Sequence, residues 1–92
     1  MKYMLTSSIP TKSYNDALDA FLAGGAPMPE GLTALGRWHA PGSYRGWLLC
    51  ETDDLVALSK HVAEWTPLLT IEVIPVIGDE QAGAAAAKVR AS

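Results

Sequence analysis

The chain lacks most of the devices that brace or label a small protein. Its single cysteine, Cys50, leaves no partner for an internal disulfide and no pair at zinc spacing. Charge is sparse: 18% of the 92 residues are charged and the formal net charge is -3. No basic stripe is therefore present to neutralise phosphates, and nucleic-acid binding is not expected. No apolar run approaches the ~18 residues of a membrane-spanning helix. Glycine-rich phosphate loops and dinucleotide fingerprints are missing, and the two histidines, His39 and His61, do not stand at ligand spacing, so no metal site is expected. Met1-Lys2-Tyr3 does not begin a charged leader with a long apolar core behind it, which points to a cytoplasmic protein. No motif specifies a reaction, and no cofactor is expected.

Apolar residues, by contrast, make up 49% of the chain, which is high for one domain of this size. A small domain leaves a large fraction of its surface in water. Surplus apolar side chains then go to a subunit interface, so a homodimer is expected.

Lys2 to Ile9 puts Tyr3, Leu5 and Ile9 on one side and Lys2, Thr6 and Ser8 on the other, the pattern of a strand packed on one face. Pro10 stops it. Ser13 with Asp16 is a near-match to a capping box, and Tyr14, Ala17, Leu18, Phe21 and Leu22 follow at helical spacing until Gly24-Gly25. Gly24 to Gly31 is rich in glycine and proline and forms a loop suited to a mobile lid. Leu32 to Thr52 reads as a β-hairpin about Pro41-Gly42. Thr52-Asp53-Asp54 offers acceptors for a second helix, whose buried stripe is Leu55, Leu58, Val62 and Trp65; Lys60 and Glu64 form a solvated face, and Pro67 ends the helix. Leu68 to Ile77 is a β-branched strand with Ile71, Val73 and Ile77 on one face and Thr70 and Glu72 on the other, and Pro75 means that it lies at a sheet edge or projects past its neighbour. The tail from Asp79 is alanine-rich, acidic early and basic late, as a short helix or a frayed end would be.

The resulting βαββαβ series is the ferredoxin-like α+β pattern: a four-stranded antiparallel sheet with two helices on one face. Residues 1–78 form that unit and residues 79–92 the tail. The bare sheet face needs an apolar cover, and the same face of a second copy supplies one.

Lys2-Tyr3-Met4, Pro29-Glu30-Gly31, Gly36-Arg37-Trp38-His39, Glu51-Thr52-Asp53-Asp54, Ala63-Glu64-Trp65 and Glu72-Val73-Ile74-Pro75-Val76 together resemble the small bacterial family catalogued as domain of unknown function 3303. The resemblance covers nearly the whole chain except the tail. It implies a place in the dimeric α+β barrel superfamily, in which two ferredoxin-like sheets face each other. At superfamily level it implies relatives as varied as cofactor-free monooxygenases, haem-degrading enzymes and stress-response proteins, so fold analogy selects no reaction.

A hairpin symmetric about Gly42 sets Trp38 opposite Gly46, Arg37 opposite Trp47 and His39 opposite Arg45. Trp38 then covers a glycine, and Arg37 forms a cation–π pair with Trp47 or half of an anion site. His39, at the hairpin end, is the candidate catalytic base or ligand, although its ring can equally cap a turn. His61 borders the apolar stripe of the second helix, where a half-buried, hydrogen-bonded histidine is the plain reading. Tyr3, Trp47 and Trp65 either line a pocket between sheet and helices or fill the core. Glu51 and Glu72 are strand carboxylates for which Arg37 or Arg45 is the available partner, across the sheet or the dimer seam. Cys50 reads as a core residue. The leading expectation is a homodimer binding a small apolar or aromatic ligand near Arg37, Trp38, His39 and Trp47, with Tyr3, His61 and Trp65 behind. A monooxygenase-like enzyme, cofactor-free or haem-dependent, and a purely structural dimer are the alternatives.

Overall fold

A computed structural model describes residues 1–91. In chain order its elements are β1 (Lys2–Ser8), α1 (Tyr14–Gly24, after a single 3-10 turn at Thr11–Ser13), β2 (Thr33–His39), β3 (Arg45–Glu51), α2 (Leu55–Trp65), β4 (Thr70–Val76) and α3 (Asp79–Ala91). The strands form one sheet in the order β2-β3-β1-β4, with every neighbouring pair antiparallel. This is the ferredoxin-like βαββαβ arrangement with a helix added at its C-terminal end. Among the described residues no helix is long and apolar enough to cross a membrane.

Register decides which residues share a face, because side chains alternate along each strand. Tyr3 pairs with Cys50 and Leu5 with Leu48, and these four pack with Leu32 and with Leu58 of α2 as the buried core. The helices cover this face. Ala57, Val62 and Ile71 close its margins. Burying a side chain such as Leu58 stabilises the fold by roughly 1.5–3 kcal/mol. Cys50, fully buried as a core residue should be, has its thiol pKa pushed up by that burial.

β4 lies at the edge and pairs only with β1. Pro75, which has no N–H to donate, is tolerated there. The strand is shorter than its apolar run, because Leu68 and Leu69 turn back and donate their amides to Trp65.

Three local expectations are corrected. Ser13 precedes α1 but its hydroxyl caps nothing; it donates to the carbonyls of Leu68 (3.0 Å) and Pro10 (3.2 Å), tying the start of α1 to the end of α2. Leu55 is exposed at the head of α2, while His61 takes the buried place beside Leu58. The hairpin register is shifted by one: His39 pairs with Gly46, Arg37 with Leu48 and Trp38 with Trp47. The cause is the turn. Gly42, following Pro41, takes φ 87° as a type II turn requires, and Ser43, whose amide donates to the Ala40 carbonyl, follows in the left-handed region at φ 60°. That extra left-handed residue moves the axis of the hairpin past Gly42.

α2 begins as its sequence indicates. The Asp54 carboxylate accepts from the Ala57 amide at 2.9 Å, and Thr52 Oγ1 accepts from the Asp54 amide while donating to the Gly31 carbonyl at 2.6 Å. The glycine- and proline-rich loop before β2 is thus fastened at its far end, with Leu32 buried in the core. α3 is exposed along its whole length. It draws the molecule out to 53 × 27 × 18 Å and the radius of gyration to 15.8 Å, against about 12 Å for a compact chain of this size.

Candidate functional site

The residues on the helix-covered face explain where space opens. Across the sheet from β2 to β4, one row reads His39, Gly46, Ser7, Ile71 and the next Arg37, Leu48, Leu5, Val73. Gly46 contributes no side chain to its row. A Cβ there would come within 3.0 Å of Ser7 Oγ and 3.8 Å of His39 Nδ1. Over this gap stand Phe21 of α1 and His61 and Trp65 of α2, and between them and the sheet lies a cleft of about 120 Å³. Leu5, Leu48, Leu69 and Ile71 complete its apolar walls. A second hollow of about 450 Å³, more open to solvent, shares His61 and Trp65 and extends to Met28, Pro29, Glu64 and Leu68.

Each polar group at the cleft is held differently. Arg37 donates from Nη2 to the Ala26 carbonyl at 2.8 Å and contacts Met28 Sδ at 3.4 Å, so the loop and the edge strand position one another. The His39 ring meets Phe21 edge to face at 5.7 Å between centroids. His61 is 7% exposed. Among the described residues none hydrogen-bonds to its ring, and none of their fully buried side-chain nitrogens or oxygens lacks a partner; the ring nitrogens are therefore not fully enclosed, and the ring borders both the cleft and the second hollow. Burial lowers the His61 pKa, Glu64 on the same helix opposes that, and Arg37 lowers it further. The imidazole is neutral at neutral pH.

Of the residues singled out from sequence, Arg37, His39, His61 and Trp65 converge on the cleft. Trp38 and Trp47 also border it, although they face each other in register and alternation directs their rings to the open face of the sheet. The expected pair of Arg37 with Trp47 is replaced by Arg45, whose guanidinium lies 5.6 Å from the Trp47 ring centroid. Arg45 and Trp47, two residues apart on β3, share a face, and the shifted register turns Arg37 to the other. Trp38 does cover a glycine, but it is Gly36 of its own strand, where a Cβ would fall within the indole ring. Tyr3 is buried in the core and absent from the cleft wall. Sequence reading also missed Phe21, taken as plain helix stripe, and Gly46. The signal for Gly46 was a glycine between Arg45 and Trp47 inside a strand pattern, the usual mark of a close approach.

Glu51 and Glu72 make no ion pair among the described residues, and the Lys60–Glu64 pair, 3.9 Å apart, is exposed and contributes little. No curated protein and no solved structure matches the chain. The sequence profile of one family, however, matches residues 1–90, which includes every residue of the cleft and all but the end of α3. The chain belongs to that family, described as a domain of unknown function (DUF3303).

Proposed function

We propose that the protein is a homodimer that binds a small apolar or aromatic ligand in the cleft between sheet and helices. One observation carries the reading: above the gap at Gly46, an apolar-walled space is bordered by the ring of His61, to which none of the described residues hydrogen-bonds. Apolar walls with a few convergent polar groups are the usual composition of a small-molecule site, and a ligand that fills the apolar volume can hydrogen-bond to that ring. Pairing of two copies is supported by the open sheet face, where Trp38 is 55% and Ile74 43% exposed.

The test is a thermal-shift screen of single-ring aromatic and short aliphatic compounds against the wild type and Gly46→Ala. At a ligand concentration of ~100 Kd the expected stabilisation is ~2.7 kcal/mol, a rise in Tm of several degrees for a domain of this size. Gly46→Ala adds a methyl group to the cleft floor, which Ser7 accommodates by rotating its hydroxyl. Its response is expected to vanish while the fold persists. A wild type that responds to no compound class, or a variant that responds equally well, overturns the reading.

A further inference from the structure

The cleft is chemically lopsided. Its ionisable lining groups are Arg37, His39 and His61, and no aspartate or glutamate is among the residues that line it, in a chain whose net charge is -3. Glu64, the acidic neighbour of His61, belongs to the second hollow. The basic groups are also gathered at one end. Arg37 and His39 stand on the edge strand β2, whereas Leu5 of β1, Ile71 of β4 and Leu69 close the opposite end. Four rings, those of Phe21, His39, His61 and Trp65, stand around the space between.

Resting on the reading that this cleft binds a ligand, we propose that its occupant is a small aromatic monocarboxylate, with the ring among these side chains and the carboxylate at the Arg37 and His39 end. The volume suits the body of such a molecule, since a cavity of about 150 Å³ takes up benzene and this cleft holds about 120 Å³ with an open mouth for the charged group. Arg37 is prepared for the task. Its Nη2 is committed to the Ala26 carbonyl, which fixes the guanidinium and leaves Nε and Nη1 as donors for a charge-assisted bond. His39, braced against Phe21, and the neutral His61 each offer one N–H. A carboxylate paired with Arg37 offsets the positive charge that disfavours protonation of His61, so binding takes up a proton. The groups facing His61 are Glu64 on its own helix and Arg37, with His39 across the cleft on β2.

Calorimetric titration of the whole chain with benzoate and with its neutral analogue benzamide tests this. Benzoate is expected to bind at least tenfold more tightly than benzamide, and more tightly at pH 6 than at pH 8. Arg37→Met is expected to abolish that preference. Because Arg37 also holds the loop, His39→Gln provides a second variant, expected to lower benzoate affinity several-fold while the cooperative unfolding transition persists. Equal affinity for the two probes, or a preference that survives in both variants, overturns the carboxylate assignment and leaves the cleft reading standing. Hexanoate binding as tightly as benzoate overturns the aromatic part. If neither probe binds while another compound stabilises the wild type but not Gly46→Ala, the assignment fails alone; if no compound does so, both fail.

Discussion

At the scale of single residues, His61 ties stability to the site. In the unfolded chain a histidine titrates near 6.5, and in the fold burial holds His61 below its ordinary value. Below about pH 6.5 the unfolded state therefore binds more protons than the folded one, so stability falls as the pH drops from there through the folded pKa. Above 6.5 this contribution is fully present. We expect His61→Leu to remove this acid sensitivity. Its Tm should decline less than that of the wild type between pH 7.5 and 5.5, because an apolar side chain at this buried place has no proton to bind. Differential scanning calorimetry at the two pH values decides the matter, and parallel declines would mean that His61 is not the titrating group. Little of this was legible beforehand. His61 sits at helical spacing from Leu58 and Trp65, which locates it near the stripe, but whether an edge position is covered depends on the partner face. Here Leu55 is left exposed and His61 is enclosed.

Among the elements, the hairpin shows most directly what a sequence leaves open. Pro41-Gly42 identified the turn, and Pro75 identified an edge strand, because each is a constraint written into one residue's backbone. Register is not of that kind. It depends on how many residues the turn consumes, and Ser43 in the left-handed region consumes one more than a symmetric turn would. That single residue separated Arg37 from Trp47, moved the cation–π contact to Arg45 and placed Gly46 opposite His39, which created the cleft floor. Ser43 at φ 60° carries the cost of a left-handed conformation for a residue with a Cβ, about 1 kcal/mol. Ser43→Gly is expected to relieve it and stabilise the protein by roughly 0.5–1 kcal/mol, offset in part by the added freedom of the unfolded chain. Gly42→Ala, which forces a Cβ into φ 87°, is expected to destabilise by a similar or larger amount. Urea unfolding of the two variants measures both. Opposite signs are required by this account of the turn.

For the whole molecule, the question is what covers the second face of the sheet. Register collects Met4, Leu49, Trp47, Trp38 and Ile74 on it, with Lys2, Glu51, Arg45 and Glu72 around them. That is an apolar centre with a charged rim, the anatomy of a protein interface. A stable interface buries about 800 Å² per partner, close to one eighth of the 6424 Å² this chain exposes. The core on the other face is small, so a separate monomer would present a large part of its apolar content to water. Two copies meeting through these faces would also give Arg45 and Glu72 the ion-pair partners they lack within one chain among the described residues. We therefore expect sedimentation equilibrium at micromolar concentration to give the mass of a dimer, and Tm to rise with protein concentration as it does when association and folding are linked. Ile74→Lys combined with Trp38→Lys places two like charges at the centre of the face and should yield a monomer with Tm lowered and no longer dependent on concentration. Val56→Lys, on the exposed side of α2, should leave both mass and Tm unchanged and so controls for surface charge alone. A wild type that sediments as a monomer with a concentration-independent Tm would show that this face tolerates water, and the pairing would have to be abandoned while the cleft on the opposite face remained.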